Sequence, residues 1–388
     1  MLAGVNVALC VSGSIAAVKT TELAHELRRR GATVRGVMTE AAQGIVHPWA
    51  VEFATDEPVV TEITGDIEHV ELCGREGWAD VLLLAPATAN SVGKIAAAID
   101  DTPVTTCATT ALGTEMPVVI APAMHEPMYD HPGVVEAISR VESWGVSFVP
   151  PRVEEEKAKI ATADAICLAT ARAAGDRPLE GKHLVVTSGA TVESIDPIRV
   201  LTNRASGRTG RAIARACYVR GAAVTLVQGG LDSESEHLSY ATTKPVESAA
   251  EMFDAVEASA EDADALLSAA AIADYTTDAA SEKIRSGGEL TLDLTPTPKL
   301  LDEIRERYPD LPIVGFKAET AGDEETMVER ARALLERVAL NFVVANDASV
   351  MGEGETRALL VRSEDVASFT GSKADLGARV AAELAAEF

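Results

Sequence analysis

The apolar run Val5–Val11 is followed by Ser12-Gly13-Ser14-Ile15-Ala16. A small Gly/Ser turn from strand to helix gathers free backbone N–H groups and the positive end of a helix dipole at one spot. Such a turn is an anion site, most often for a phosphate. It lacks the three glycines of a dinucleotide turn, so with Gly13 alone it suits one phosphate monoester, as in flavin mononucleotide (FMN). Thr39 ends the next apolar run, and Thr88 and Asn90 follow Pro86 in "APATANSVGK". Hydroxyl and amide groups at several strand ends fit a ligand at the carboxyl edge of a parallel sheet. Each of them singly also fits plain helix capping. His69 sits in "IEHVEL", and "APAMHEPMYDHPG" places His125 and Met128 in a Pro-rich turn beyond another apolar run.

A second set lies past residue 182. "TSGATVESIDPIRVLTNRASGRTGRAIA" carries Gly189, Asn203, Ser206, Gly207 and Gly210, with Arg204, Arg208 and Arg211 at the start of a helix. Local basic charge in a chain of net charge -26 points to a polyanionic ligand. "LLSAAAIADY" ends a strand in the small residues Ser268, Ala269 and Ala270, then Asp274, which lets a ligand approach the backbone. Lys283 stands on a flap, and Pro298–Leu301 and Phe316 follow further strand ends.

The elements that position these residues alternate. Val5–Val11, Thr33–Met38, Val81–Ala85 and Val118–Ala121 read as buried strands, with Ala16–Arg30 as an amphipathic helix closed by Gly31. The pattern restarts with Leu184–Thr187, a helix Arg208–Arg220, and the strand Ala223–Val227. Later strands are Ala265–Ala269, Ile313–Phe316 and Phe342–Ala345, with Glu324–Arg337 as a helix. Strands alternating with helices mean α/β domains with parallel sheets. The Gly, Pro and charged residues of "AGDRPLEGK" divide residues 1–175 from 182–388, with 176–181 as linker.

Composition narrows the class. There are 60 Asp+Glu against 34 Lys+Arg, of which only 10 are Lys. That sign disfavours nucleic acid and anionic membrane as partners. Acidic excess with scarce Lys suits a surface kept soluble at high salt, the composition expected of a halophile. No apolar run reaches the length of a membrane span, and the chain starts on a strand without a leader, so a cytoplasmic location is expected. The five scattered cysteines form no C-x-x-C, so neither disulfides nor a protein metal cluster is expected.

"SGSIAAVKT", "MTEAA", "EHVEL", "WADVLLLAPATAN" and "PAMHEPMY" together resemble the flavin-dependent phosphopantothenoylcysteine decarboxylases, of the homo-oligomeric flavin-containing cysteine decarboxylase fold. The second half resembles phosphopantothenate–cysteine ligase, whose pattern G-x-T-x-E-x-I-D-P-x-R…T-N-x-x-S-G-x-x-G is matched from Gly189 to Gly210. In this order they resemble the family of bifunctional coenzyme A biosynthesis proteins, here an archaeal, halophilic member. The resemblance implies a flavodoxin-like first domain and a Rossmann-like second one. It implies FMN bound through Gly13, Ser14, Thr39, Thr88 and Asn90, and His69 as active-site base. His125 stands where the family has an Asn that holds the substrate carboxylate, and Met128 where it has a substrate-contacting Met. In the second half it implies that Asn203 stabilises an acyl-nucleotide intermediate. Ser268, Ala269, Ala270 and Asp274 line the CTP pocket, with Ala270 counted among the catalytic positions. Lys283 neutralises phosphate charge, and Pro298, Lys299, Leu300, Leu301 and Phe316 contact the cytidine end. The resemblance further implies Mg²⁺ brought with CTP, no metal held by protein ligands, and a dodecamer of decarboxylase trimers and ligase dimers.

Two further departures are visible. Leu334 and Val338 stand where the family has lysines, leaving Arg332 or Arg337 to supply the charge. Residues 150–165 lack the family's flap cysteine, so Lys157 or Lys159 is expected to supply its proton, with Cys167 or solvent as alternatives. The rival classes are a non-catalytic FMN-binding regulatory subunit, against which the second half argues, and a flavin prenyltransferase, which lacks a second domain. A tandem dinucleotide dehydrogenase requires G-x-G-x-x-G, absent from both halves.

Overall fold

The computed structural model describes residues 1–154, 157–231, 238–285, 287–319, 323–347 and 356–388. It divides into two units, Met1–Asp176 and Arg177–Phe388.

In the first unit, β1 (Asn6–Val11), β2 (Thr33–Met38), β3 (Val81–Ala87), β4 (Val118–Pro122) and β6 (Ser147–Phe148) form one sheet in the order β2-β1-β3-β4-β6. Every pairing is parallel. Val7–Val11 and Val81–Ala85 are fully buried, because helices cover both faces. The helices are α1 (Thr20–Arg29), α2 (Glu40–Gln43), α3 (Pro48–Thr55), α4 (Glu68–Cys73), α5 (Ala89–Ala96), α6 (Pro103–Gly113), α7 (Glu126–Tyr129), α8 (Pro132–Glu142) and α9 (Ala163–Ala174). The helix expected over Ala16–Arg30 is two pieces, a 3-10 turn Ile15–Lys19 and then α1. Ser14 caps the 3-10 turn, so the chain tightens at the strand end before the α-helix settles Leu23, Ala24 and Leu27 into the core. A small antiparallel sheet, β5 (Met124–His125), β8 (Lys157–Lys159) and β7 (Arg152–Glu154), stands beside the main one.

The second unit is built on β9 (His183–Gly189), β12 (Ala223–Gly229), β13 (Thr242–Val246), β14 (Ala265–Ser268), β17 (Ile313–Glu319), β18 (Phe342–Asp347), β19 (Thr356–Val361) and β20 (Val366–Gly371). Their order is β13-β12-β9-β14-β17-β18-β19-β20. The first six are parallel, in the 3-2-1-4-5-6 order of a dinucleotide-type fold. The last two are antiparallel, which corrects the expectation of a purely parallel sheet. Only residues 348–355 separate β18 from β19, too few for the crossover that a parallel return needs. The helices are α10 (Arg208–Val219), α11 (Ala249–Ala260), α12 (Leu300–Arg307), α13 (Glu324–Val338) and α14 (Lys373–Ala385). Two small ladders, β10 (Val192–Ser194) with β11 (Val200–Thr202) and β15 (Tyr275–Thr276) with β16 (Thr295–Pro296), lie outside the main sheet.

Candidate active sites at two switch points

In the first unit the strand order reverses between β1 and β3, which opens a crevice at their carboxyl ends. Ser12 closes its floor. Its hydroxyl donates to Pro86 O at 2.8 Å and accepts from Thr88 N at 3.0 Å, tying β1 to β3. Gly13 has no room for a side chain, since a Cβ there would lie 2.5 Å from that of Ala41. Ser14 accepts from Ala16 N at 3.3 Å and donates to Ala123 O at 3.0 Å, reaching the end of β4. Thr39 accepts from Ala42 N at 3.2 Å and Thr88 from Ser91 N at 3.2 Å. So the 3-10 turn, α2 and α5 all begin at this edge, each capped by a hydroxyl named from the sequence. Asn90 is exposed in the first turn of α5. The capping reading therefore holds for Ser14, Thr39 and Thr88. An anion would meet backbone N–H groups of the helix ends and the Asn90 amide, a donor set that suits the phosphate of FMN.

His69 lies in the first turn of α4, half-buried, and its Nδ1 is buried without a hydrogen-bond partner among the described residues. The left-handed Ile67 (φ 51°) turns the chain into that helix. Glu68 beside it is held below the usual carboxylate range, first by the Thr64 hydroxyl. His125 is exposed, precedes α7, and makes no side-chain cap. Its backbone pairs with Lys157 in the β5–β8 ladder, which joins the loop to the hairpin β7–β8. The Lys157 side chain lies outside the described residues, and Lys159 is on the same strand. Met128 is 48% exposed.

In the second unit the reversal falls between β9 and β14. Gly189 ends β9 at φ 84°, and a Cβ there would lie 2.0 Å from Gly229 O. Ser188 donates to Gly207 O at 2.8 Å, and Gly207 starts α10 with no side-chain cap. The first N–H groups of α10 thus face this edge uncapped, with Arg204 and Arg208 exposed around them. Arg211 is turned back onto Ser206 O at 3.0 Å and Gln228 Oε1 at 3.5 Å. Asn203 donates to Ala271 O at 3.1 Å, which seats its amide on the loop after β14. In that loop Ala270 N donates to Thr187 Oγ1 at 3.0 Å, and Ala273 N to Thr191 Oγ1 at 2.7 Å. Thr297 N donates to Asp274 O at 3.0 Å, bringing Pro298 and Lys299 alongside, and Lys299 pairs with the Asp274 carboxylate.

Asn203, Ser268–Ala270, Asp274, Pro298 and Lys299 are therefore drawn together. Phe316 is half-buried, one residue beyond the Gly315 that pairs with Ser268. Leu300 is 5% exposed and packs in the core, while Leu301 is half-buried. Lys283 is exposed, between β15 and β16.

Residues 1–175 match the family model described as Flavoprotein, and residues 179–387 match DNA/pantothenate metabolism flavoprotein C-terminal domain. The Coenzyme A biosynthesis bifunctional protein CoaBC of Thermococcus kodakarensis is 47% identical over 365 residues, covering 93% of this chain and 89% of that protein. The Bacillus subtilis protein of the same name is 37% identical over 375 residues, covering 91% and 88%. The chain belongs to this family. It is a bifunctional enzyme of coenzyme A biosynthesis, with a flavoprotein decarboxylase domain followed by a ligase domain. A crystal structure of the C-terminal domain of a CoaBC protein is similar at 28% identity and TM-score 0.47, covering 55% of this chain and 98% of that one.

The two further departures have a place in the structure. Arg337 is bound to Asp302 on α12, and Val338 is buried in the core. Arg332 has its Nε buried without a hydrogen-bond partner among the described residues. Cys167 is fully buried in α9, with the Arg30 guanidinium 3.6 Å from its sulfur. Arg30 follows the last turn of α1, at the edge where β2 begins, so Cys167 sits at the opposite end of the sheet from the crevice.

Sequence reasoning passed over Ser12, Thr187 and Thr297, whose partners lie 74, 83 and 24 residues away. Nothing local in the sequence marks such pairs. Thr191, Glu193 and Asp196 lay inside the quoted ligase pattern, which was the available signal.

Proposed function

We propose that the second unit activates 4′-phosphopantothenate with CTP and joins it to cysteine, and that the first decarboxylates the product to 4′-phosphopantetheine. The reading is carried by two switch-point crevices on one chain, one edged by Ser14, Thr39, Thr88 and Asn90, the other by Asn203, Ser268–Ala270 and Asp274. The proposed division is 1–175, the linker 176–181, and 182–388.

In the ligase unit the substrate carboxylate attacks the α-phosphorus of CTP and pyrophosphate leaves. The cysteine amine then attacks the acyl carbon and expels CMP. The uncapped start of α10 and Lys283 offset phosphate charge, and the Asn203 amide donates to the acyl-cytidylate. Ser268, Ala269, Ala270, Asp274, Pro298, Lys299, Leu300, Leu301 and Phe316 form the CTP pocket. Mg²⁺, when bound with the nucleotide, would offset the charge that develops on its phosphates. In the decarboxylase unit FMN, when bound, supplies the two-electron oxidation and its return that give the departing carboxylate an electron sink. Gly13, Ser14, Thr39, Thr88 and Asn90 seat it, and His69 acts as base. His125 donates to the substrate carboxylate, and Met128 lies against its chain.

The exposed apolar side chains Ile15, Trp49 and Phe53, at 78%, 75% and 81%, support burial between copies of the decarboxylase unit. With ligase pairs this gives the proposed dodecamer. The charge of -26 supports a halophilic protein.

The test is to supply CTP, phosphopantothenate and cysteine to the full chain and follow pyrophosphate, CO₂ and phosphopantetheine. His69→Asn should abolish CO₂ release and leave pyrophosphate release intact. Asn203→Ala should accumulate acyl-cytidylate. Loss of both activities in either folded variant refutes the division of roles.

A further inference from the structure

The arm between β15 and β16 carries Lys283, and its described part is fastened to the β10–β11 hairpin at successive points. At its foot, Thr276 donates to Glu193 Oε2 at 2.7 Å, while Glu193 Oε1 accepts from Ala249 N at 2.8 Å. Further out, Ala280 N donates to Ile195 O at 2.9 Å. Beside Lys283, Ile284 N donates to Asp196 Oδ2 at 3.1 Å, and Ile284 O accepts from Arg199 Nη2 at 2.6 Å. Both backbone polar groups of the residue after Lys283 are thus taken by one ion pair.

That pair is built to be rigid. The Asp196 side chain is 0% exposed, and its Oδ1 accepts from Ile198 N at 2.9 Å and Arg199 N at 2.8 Å. Arg199 donates to Oδ2 through Nε at 3.0 Å and Nη2 at 2.5 Å. The side-chain hydrogen bond from Arg199, foremost, holds the Asp196 carboxyl well below the usual carboxylate range. The two bonds within the turn would shape that turn without the arm. The bonds to Ile284 do something else, since they fix the exit of Lys283 while Ile195 fixes Ala280. Only Ser281, Glu282 and Lys283 lie between these fastenings. Pairing with Asp196 also neutralises Arg199, so Arg199 does not compete with Lys283 for an anion.

We propose that Asp196 and Arg199 are positioning residues of the ligase reaction, latching Ile284 so that the Lys283 ammonium is held at the phosphates of the nucleotide. The proposal rests on the reading of Lys283 as the phosphate-charge residue. It gives the I-D-P-x-R part of the pattern a task that involves no contact with substrate.

The test is a double-mutant cycle on the full chain, reading pyrophosphate release with CTP and phosphopantothenate. Arg199→Lys keeps the charge but cannot bond both Asp196 and Ile284 in the same fork. It should lower kcat about 10-fold or more, with KM for phosphopantothenate unchanged, because a small misplacement of a positioned group acts on the reacting state. In a Lys283→Gln background the same substitution should cost less than about 2-fold, because both act through one group. Decarboxylation of added phosphopantothenoylcysteine, followed in parallel, should stay at the wild-type rate. Asp196→Asn, run through the same cycle, gives an independent measure should Arg199→Lys fail to fold. Losses that multiply instead of overlapping, or a normal kcat in Arg199→Lys with a slow Lys283→Gln, overturn the latch alone. A normal rate in Lys283→Gln itself overturns the Lys283 reading, and the latch with it.

Discussion

Removing one oxygen atom from Ser12 tests how the first crevice is held open. Ser12 is 1% exposed, and its hydroxyl is the side-chain link between the ends of β1 and β3. In Ser12→Ala, Pro86 O keeps the backbone bond from Ser12 N at 3.2 Å, but Thr88 N loses its acceptor. The lost bond to Pro86 O at about 1 kcal/mol, plus the orphaned Thr88 backbone donor at about 1–3 kcal/mol, give a loss of about 3 kcal/mol. For a unit of this size that lowers Tm by roughly 6–12 °C. Thr88 also begins α5, which carries Asn90, so the Kd for FMN should rise at least about 10-fold, the equivalent of 1.4 kcal/mol. The assay is thermal unfolding of the FMN-free full chain at molar salt, followed by an FMN titration read by flavin fluorescence. Ser143→Ala is the control, an exposed hydroxyl on Arg140 O at 2.6 Å, expected within about 0.5 kcal/mol of wild type. If Ser12→Ala melts with the wild type and binds FMN equally well, the link does not hold the crevice.

With a net charge of -26, Tm should fall steeply as the Debye length lengthens from about 3 Å at 1 M salt to about 30 Å at 0.01 M; a constant Tm refutes the halophile reading. The Asp196 carboxyl is depressed, so its stabilisation is fully present above its unfolded value near pH 4 and is lost as pH falls through the lower folded one. Asp196→Asn should therefore lose stability less steeply than wild type below about pH 4, as acid titration by circular dichroism would show. All five cysteines are buried thiols outside any disulfide, and burial pushes Cys217 up to about 12, so a thiol reagent should label few or none before denaturation. Cys167→Ala should still form fully reduced phosphopantetheine, and accumulation of the oxidised ene-thiol would make Cys167 the missing acid.

The sequence made the layers legible because each buried strand is an unbroken apolar run. Leu82, Leu83 and Leu84 are all fully buried, a pattern that only a sheet covered on both faces produces. The recurrence of the helix, glycine and strand pattern near residue 182 located the second sheet for the same reason. The β7–β8 hairpin was not legible as strands. Its residues mix Glu and Lys without apolar alternation, and what orders it is the ladder to Met124 and His125. The antiparallel pair β19–β20 was missed because strand direction depends on connection length rather than on composition.

Polar residues around the two crevices separate, in the structure, into those whose hydrogen-bonding capacity is spent on the protein and those that retain some of it. Thr39, Thr187 and Thr191 accept from backbone N–H groups and are nine-tenths or more buried, and Thr88 and Ser14 are also engaged as caps. Such hydroxyls fix where helices and loops begin. Asn90, His125 and Asn203 are exposed at the same edges, and Lys283 is exposed on the arm between β15 and β16. A ligand exchanges hydrogen bonds with these side chains and with helix N-termini at little cost, whereas recruiting a buried cap would orphan a backbone donor at about 1–3 kcal/mol. Substituting a cap should therefore show first in Tm and through it in affinity. Substituting Asn90, Asn203 or Lys283 should show in binding or turnover with Tm nearly unchanged. That separation follows from burial and hydrogen-bond geometry, and it distinguishes the scaffold of each crevice from the groups proposed to meet substrate.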